Sequence, residues 1–119
     1  MAEHHPGTAA RGFRVECHEV EGTLVAQCHG KLTFENTPAL KEAVRDKIGI
    51  HKRILLDMKD VSQIDSSGLG SVVGLYVSAR TRGCELQIAN ANQQVRKLFS
   101  VTNLLSLFEA AGRHHGRTI

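Results

Sequence analysis

The chain has 119 residues, 41% hydrophobic and 23% charged, which suits one compact domain with a single core and is too short for two. Its net charge of +3 comes from scattered basic residues. With no Trp and only 4% aromatics, the clustered charge and stacking platforms of a nucleic-acid binder are missing. Cys17, Cys28 and Cys84 form no CxxC pair and are odd in number, so they read as reduced thiols packed like small hydrophobes, not as a disulfide framework or a metal site. No stretch approaches the ~18 apolar residues of a membrane span, and the first residues lack the apolar segment of a signal peptide. The expected location is the cytoplasm.

Residues 1–12 are small, polar or charged and show no periodicity, which reads as a flexible tail. His4 and His5 belong to it, as His114 and His115 belong to an equally irregular end. From Phe13 to Val20 the chain alternates, with Phe13, Val15 and Cys17 on one face. Glu21-Gly22 turns it, and Thr23 to His29 places Leu24, Ala26 and Cys28 together. These two stretches predict an antiparallel pair with one buried side. Thr37-Pro38 predicts a helix start, a capping hydroxyl followed by proline at the first helical position. Leu40, Ala43, Val44 and Ile48 follow at helical spacing and Gly49 stops the helix.

Ile54-Leu55-Leu56 is a short apolar run that fits a central strand ending at Asp57, with Val61 and Ile64 in the connection after it. The longest helix opens at Asp65 to Gly68 and ends near Arg82-Gly83, with Leu69, Val72, Val73 and Tyr76 as its apolar face. Cys84, Leu86 and Ile88 alternate as a further strand. Val95, Leu98, Phe99 and Thr102 mark a helix after Asn92, and Leu104 to Phe108 a last short strand. Alternating strands and helices predict an α/β domain over 13–110, with a mostly parallel or mixed sheet under helical cover, and a second tail over 111–119.

The informative run is Val61-Ser62-Gln63-Ile64-Asp65-Ser66-Ser67-Gly68-Leu69-Gly70. Two hydroxyls stand where a connection enters a helix. The first helical turn carries unpaired N–H groups and a positive dipole end, so a phosphate attached there meets donors and favourable potential. Gly68 and Gly70 let another molecule come close. The same spacing admits a purely structural account, with Ser66 or Ser67 as the N-cap and the glycines serving internal packing. Ser67, Ser71, Gly74 and Ser78, at steps of four, three and four, form a stripe of small side chains that is either a docking face or ordinary surface. Enzyme motifs are absent: Ile64, not glycine, precedes Asp65-Ser66, which rules out a G-x-S-x-G elbow, and no P-loop occurs. Asp57, Asp60 and Asp65 read as a strand end, a loop residue and a residue before the cap. No catalytic residue, metal or cofactor is expected.

Asp65-Ser66-Ser67-Gly68-Leu69-Gly70, preceded by Ile54-Leu55-Leu56-Asp57, resembles the STAS domain of anti-sigma factor antagonists, and the resemblance runs from about Phe13 to Phe108. Gly30-Lys31-Leu32 fits the glycine–x–leucine of the loop after the second strand, and Arg96-Lys97-Leu98-Phe99 the helix after the fourth. The resemblance implies a STAS fold, a four- or five-stranded mixed β-sheet packed against three to four α-helices. It implies that Ser66 is the phosphoacceptor of an ATP-dependent anti-sigma factor serine kinase, that a metal-dependent serine phosphatase restores it, and that the unmodified form binds the anti-sigma factor and frees the sigma factor. Scattered charge, few aromatics, the lack of a long apolar run and the missing enzyme motifs lead to the expectation of no enzymatic activity and no direct contact with nucleic acid or membrane.

The partner-binding set expected from the motif and the stripe is Asp65, Ser67, Gly68, Leu69, Gly70, Ser71, Gly74 and Ser78, joined by Gly30, Lys31, Leu32 and Thr33 from a loop beside the helix mouth. Lys31 and Thr33 depart from the acidic or polar residues usual there, and the C-terminal end reads as shortened. A phosphate adds about −1.5 to −2 of charge beside Asp65, so the expected switch is steric and electrostatic blocking without refolding. STAS domains also serve as scaffold subunits of stress-signalling assemblies. That is the alternative, and the proteins that copurify discriminate between the two.

Overall fold

The computed structural model describes residues 8–10 and 12–101. In chain order the elements are β1 (Thr8–Ala10), β2 (Phe13–Val20), β3 (Thr23–Leu32), a 3-10 turn (Phe34–Asn36), α1 (Thr37–Ile48), β4 (Arg53–Ile64), α2 (Ser66–Thr81), β5 (Glu85–Ala89) and α3 (Gln93–Val101). The five strands form one mixed sheet in the order β1-β2-β3-β4-β5. The pairs β1–β2 and β2–β3 are antiparallel, and β3–β4 and β4–β5 parallel. Among the described residues no helix is long and apolar enough to cross a membrane.

The hairpin between β2 and β3 closes in two residues, with Glu21 at φ 50° and Gly22 at φ 85°. Positive φ at both positions gives the turn a twist that matches that of the strands it joins. Beyond it, one face of the sheet is filled by Leu24, Ala26 and Cys28 of β3, Ile54, Leu56 and Met58 of β4, and Leu86 and Ile88 of β5. These residues form a single core with Leu40, Val44 and Ile48 of α1, with Leu69, Val72, Leu75, Tyr76 and Ala79 of α2, and with Val95 and Phe99 of α3. Each such buried Leu, Ile or Phe contributes roughly 1.5–3 kcal/mol over its exposed state.

Several expectations are corrected. The stretch 1–12, read as a tail, contributes β1, which pairs Thr8 with Val15 and Ala10 with Phe13. Cys17 is exposed, not buried with Phe13 and Val15, because β2 beyond Val15 runs on without cover. The central strand does not end at Asp57 but continues through Val61 to Ile64. Where β3 moves from Gln27 to His29, β4 moves from Asp57 to Asp60, and a second extra residue enters between Val61 and Gln63. Met58 and Val61, three apart, therefore both face inward, a spacing that no strict period of two produces. Asn36, not Thr37, occupies the cap position of α1, and the Thr37 hydroxyl donates to the Phe34 carbonyl at 3.3 Å. On α2 the buried face runs through Leu75 and Ala79, while Val73 is half-buried. Gly49 ends α1 at φ −80°, and its missing side chain leaves room for Arg82, whose Nη2 would lie 2.5 Å from an added Cβ. Leu104 to Phe108 and 111–119 lie outside the described residues.

Candidate functional site

The strand-to-helix junction is organised by Asp65. Its backbone is extended (φ −115°, ψ −175°), which places its carboxylate over the first turn of α2. Oδ1 accepts from the Gly68 N–H at 2.8 Å, an N-cap bond worth about 1 kcal/mol. Oδ2 accepts from the Phe34 N–H at 3.0 Å. One carboxylate thus ties the helix mouth to the 3-10 turn after β3, and the Asp65 N–H completes the junction by donating to the Leu32 carbonyl at 3.4 Å.

Because Asp65 is the cap, neither serine is. Ser66 is exposed as the first residue of α2 and Ser67 is half-buried. The Ser66 hydroxyl makes no hydrogen bond to any described residue, and it sits at the positive end of a helix of 16 residues.

The three glycines of α2 have different reasons to be there. A Cβ on Gly68 would lie 2.1 Å from the Leu32 carbonyl oxygen, so this glycine is what lets the first turn rest on the end of β3. Gly70 and Gly74 are exposed, and a Cβ on either would meet nothing within 4 Å. Glycine inside a helix costs about 1 kcal/mol relative to alanine, and nothing in the described chain uses the space these two leave open.

The anticipated partner-binding set divides accordingly. Leu32, Gly68, Leu69 and Ser71 are buried and have no surface to offer; the Ser71 hydroxyl donates to the Gly68 carbonyl at 2.7 Å. The stripe read as Ser67, Ser71, Gly74 and Ser78 is correspondingly displaced. The exposed face runs through Ser66, Gly70, Gly74 and Val77, with Ser78 beside it. Gly30 and Lys31 belong to β3, not to a loop. Gly30, at φ 106°, faces Gly12, whose carbonyl accepts from the Lys31 N–H at 2.8 Å. Thr33 is half-buried and Lys31 exposed. The segment that does reach the helix mouth is Leu32 to Phe34, through its backbone. Two exposed apolar residues lie outside the anticipated set: Phe34, 72% exposed, and Val77, 54% exposed. Val77 was traceable as the next step along the Gly70–Gly74 line, whereas Phe34 sat in a connection with no period to place it.

The remaining titratable groups are used locally. Asp57 accepts from the Lys59 N–H and from Asn90, Asp60 meets His29, and Asp65 caps α2, so the three aspartates do not converge. Among the described residues no group of His, Cys, Asp and Glu is arranged to hold a metal ion. Burial pushes the Cys28 thiol up to about 12 and also raises Cys84, so these two buried thiols are held in their unreactive form.

The family model of the STAS domain matches residues 14–116. The chain belongs to the STAS domain family. The anti-sigma-B factor antagonist of Listeria monocytogenes is 36% identical over 83 residues, covering 67% of this chain and 71% of that protein. The anti-sigma factor antagonist SpoIIAA, solved in its unphosphorylated form, superimposes with a TM-score of 0.68 at 22% identity, covering 88% of this chain and 99% of that one. SpoIIAA of Bacillus in its phosphorylated form superimposes with a TM-score of 0.63 at 23% identity, covering 79% and 86%. These two likenesses establish the STAS fold. The relatives named anti-sigma factor antagonists belong to a non-enzymatic class, and this chain falls with them.

Proposed function

We propose that this STAS domain is a phosphorylation-switched anti-sigma factor antagonist. Unmodified, it binds an anti-sigma factor that is also a serine kinase and so releases the sigma factor. Phosphorylation of Ser66 by that kinase blocks binding, and a metal-dependent serine phosphatase restores it. The cycle runs in the cytoplasm. The observation that carries the reading is the state of Ser66, an exposed hydroxyl with no hydrogen bond to a described residue, at the head of α2, whose cap is supplied by its neighbour.

The physical case for blocking is local. A phosphate on Ser66 brings about −1.5 to −2 of charge next to the Asp65 carboxylate and adds bulk at the end of the open Gly70–Gly74 face. A partner packed closely there meets both. The likeness of this fold to SpoIIAA in both its unphosphorylated and phosphorylated forms supports a switch without refolding.

The test is incubation with candidate anti-sigma factor kinases and ATP, followed by mapping of the phosphate. Incorporation at Ser66 that is lost in Ser66→Ala is the expected result, with Ser66→Asp mimicking the modified form only in part because one carboxylate is smaller and less charged than phosphate. Phosphate elsewhere, or none with any kinase, overturns the reading.

A further inference from the structure

The described phenylalanines divide sharply: Phe13 and Phe99 are buried, whereas Phe34 lies open to solvent. Its setting is not that of a loose loop. The Phe34 N–H is held by Asp65 Oδ2, its carbonyl accepts from the Thr37 hydroxyl, and Asn36 is buried with its N–H on the Thr33 carbonyl and its side-chain amide on the Lys31 carbonyl at 2.7 Å. The backbone on both sides is pinned, so the ring is presented at little conformational cost. Pre-ordered aromatic groups of this kind carry a large share of the energy in protein interfaces.

The position matters as much as the exposure. Asp65 bonds the Phe34 amide and is the residue before Ser66, so a molecule that closes on Ser66 reaches the Phe34 segment too. We propose that Phe34 is the apolar anchor of the docking face and enters an apolar pocket on the anti-sigma factor kinase that engages Ser66. The assignment rests on the switch reading above and adds to it the residue that grips the partner. The docking face then has two unlike parts. Gly70 and Gly74 admit the partner's backbone close to α2, and Phe34 fills a cavity in it. The partner is a protein with a shaped apolar recess beside its kinase site, not a flat charged surface.

The experiment compares four forms of the full chain, wild type, Phe34→Ala, Phe34→Leu and wild type phosphorylated on Ser66, titrated against the purified anti-sigma factor kinase that phosphorylates the wild type. Thermal unfolding of each form alone is the folding control. An exposed side chain contributes little to the free protein, so Phe34→Ala is expected to melt as the wild type does. It should bind at least about tenfold more weakly, with Phe34→Leu recovering much of the loss. Wild-type affinity in Phe34→Ala beside lost binding in the Ser66-phosphorylated protein overturns the anchor and leaves the switch standing. Wild-type affinity in the Ser66-phosphorylated protein overturns the switch itself. A loss in Phe34→Ala that Phe34→Leu does not recover also overturns the anchor, because an apolar recess accepts leucine.

Discussion

Gly70 and Gly74 stand out because they oppose the stability of their own helix. Neither adopts a positive φ, neither touches a neighbour that forbids a side chain, and both lie in the interior of α2. Gly70→Ala and Gly74→Ala should each stabilise the free domain by up to about 1 kcal/mol in urea unfolding while weakening the proposed complex with the kinase. Gly68→Ala should do the opposite to the free domain. It drives a methyl into the Leu32 carbonyl and is expected to cost about 1–3 kcal/mol, read as a lower urea midpoint. Three glycines within seven residues look alike in the sequence, and only the surroundings of each separate the packing residue from the open ones. The same limit explains why Ser71 was read as surface: the stripe was drawn one residue off the exposed face, and the small size that suggested docking suits burial equally well.

At the scale of elements, the Asp65 carboxylate joins two segments that are 31 residues apart at the Phe34 bond. Asp65→Ala removes both acceptors together. Hydrogen exchange at the Phe34 and Gly68 amides should accelerate in that variant while the β4–β5 ladder stays protected, and an unchanged Phe34 amide contradicts the link. The α2 start was readable because Asp65-Ser66-Ser67-Gly68 combines a cap with small residues before an apolar period. The β2–β3 hairpin was readable because two turn-forming positions sit between alternating runs. Strand β4 was readable only as far as Asp57. After that point two extra residues break its alternation against β3, and a bulged strand then has the pattern of a loop. The 3-10 turn that carries Phe34 is three residues long, too short to show any period. The family resemblance supplied the fold, but it did not distinguish the residues that face outward from those that support them.

For the molecule as a whole, the buried thiols give a pH dependence whose sign is fixed. The Cys28 pKa rises from 9.0 to about 12 through burial first, then through the nearby Cys17 and Asp57. The folded form therefore favours the neutral thiol, and its full contribution is present below pH 9. As pH climbs from about 9 toward 12 the unfolded chain ionises first, and stability falls by up to about 1.4 kcal/mol per pH unit for this group. Cys28→Ala should flatten that alkaline slope in urea titrations from pH 8 to 11, even though the variant starts less stable, and an undiminished slope contradicts the assignment. The sheet carries a different consequence. Among the described residues its spatial order equals its order of synthesis, so each strand from β2 onward finds its first neighbour already made. The chain can grow edgewise as it leaves the ribosome, one strand at a time, without holding a place open for a segment still to come.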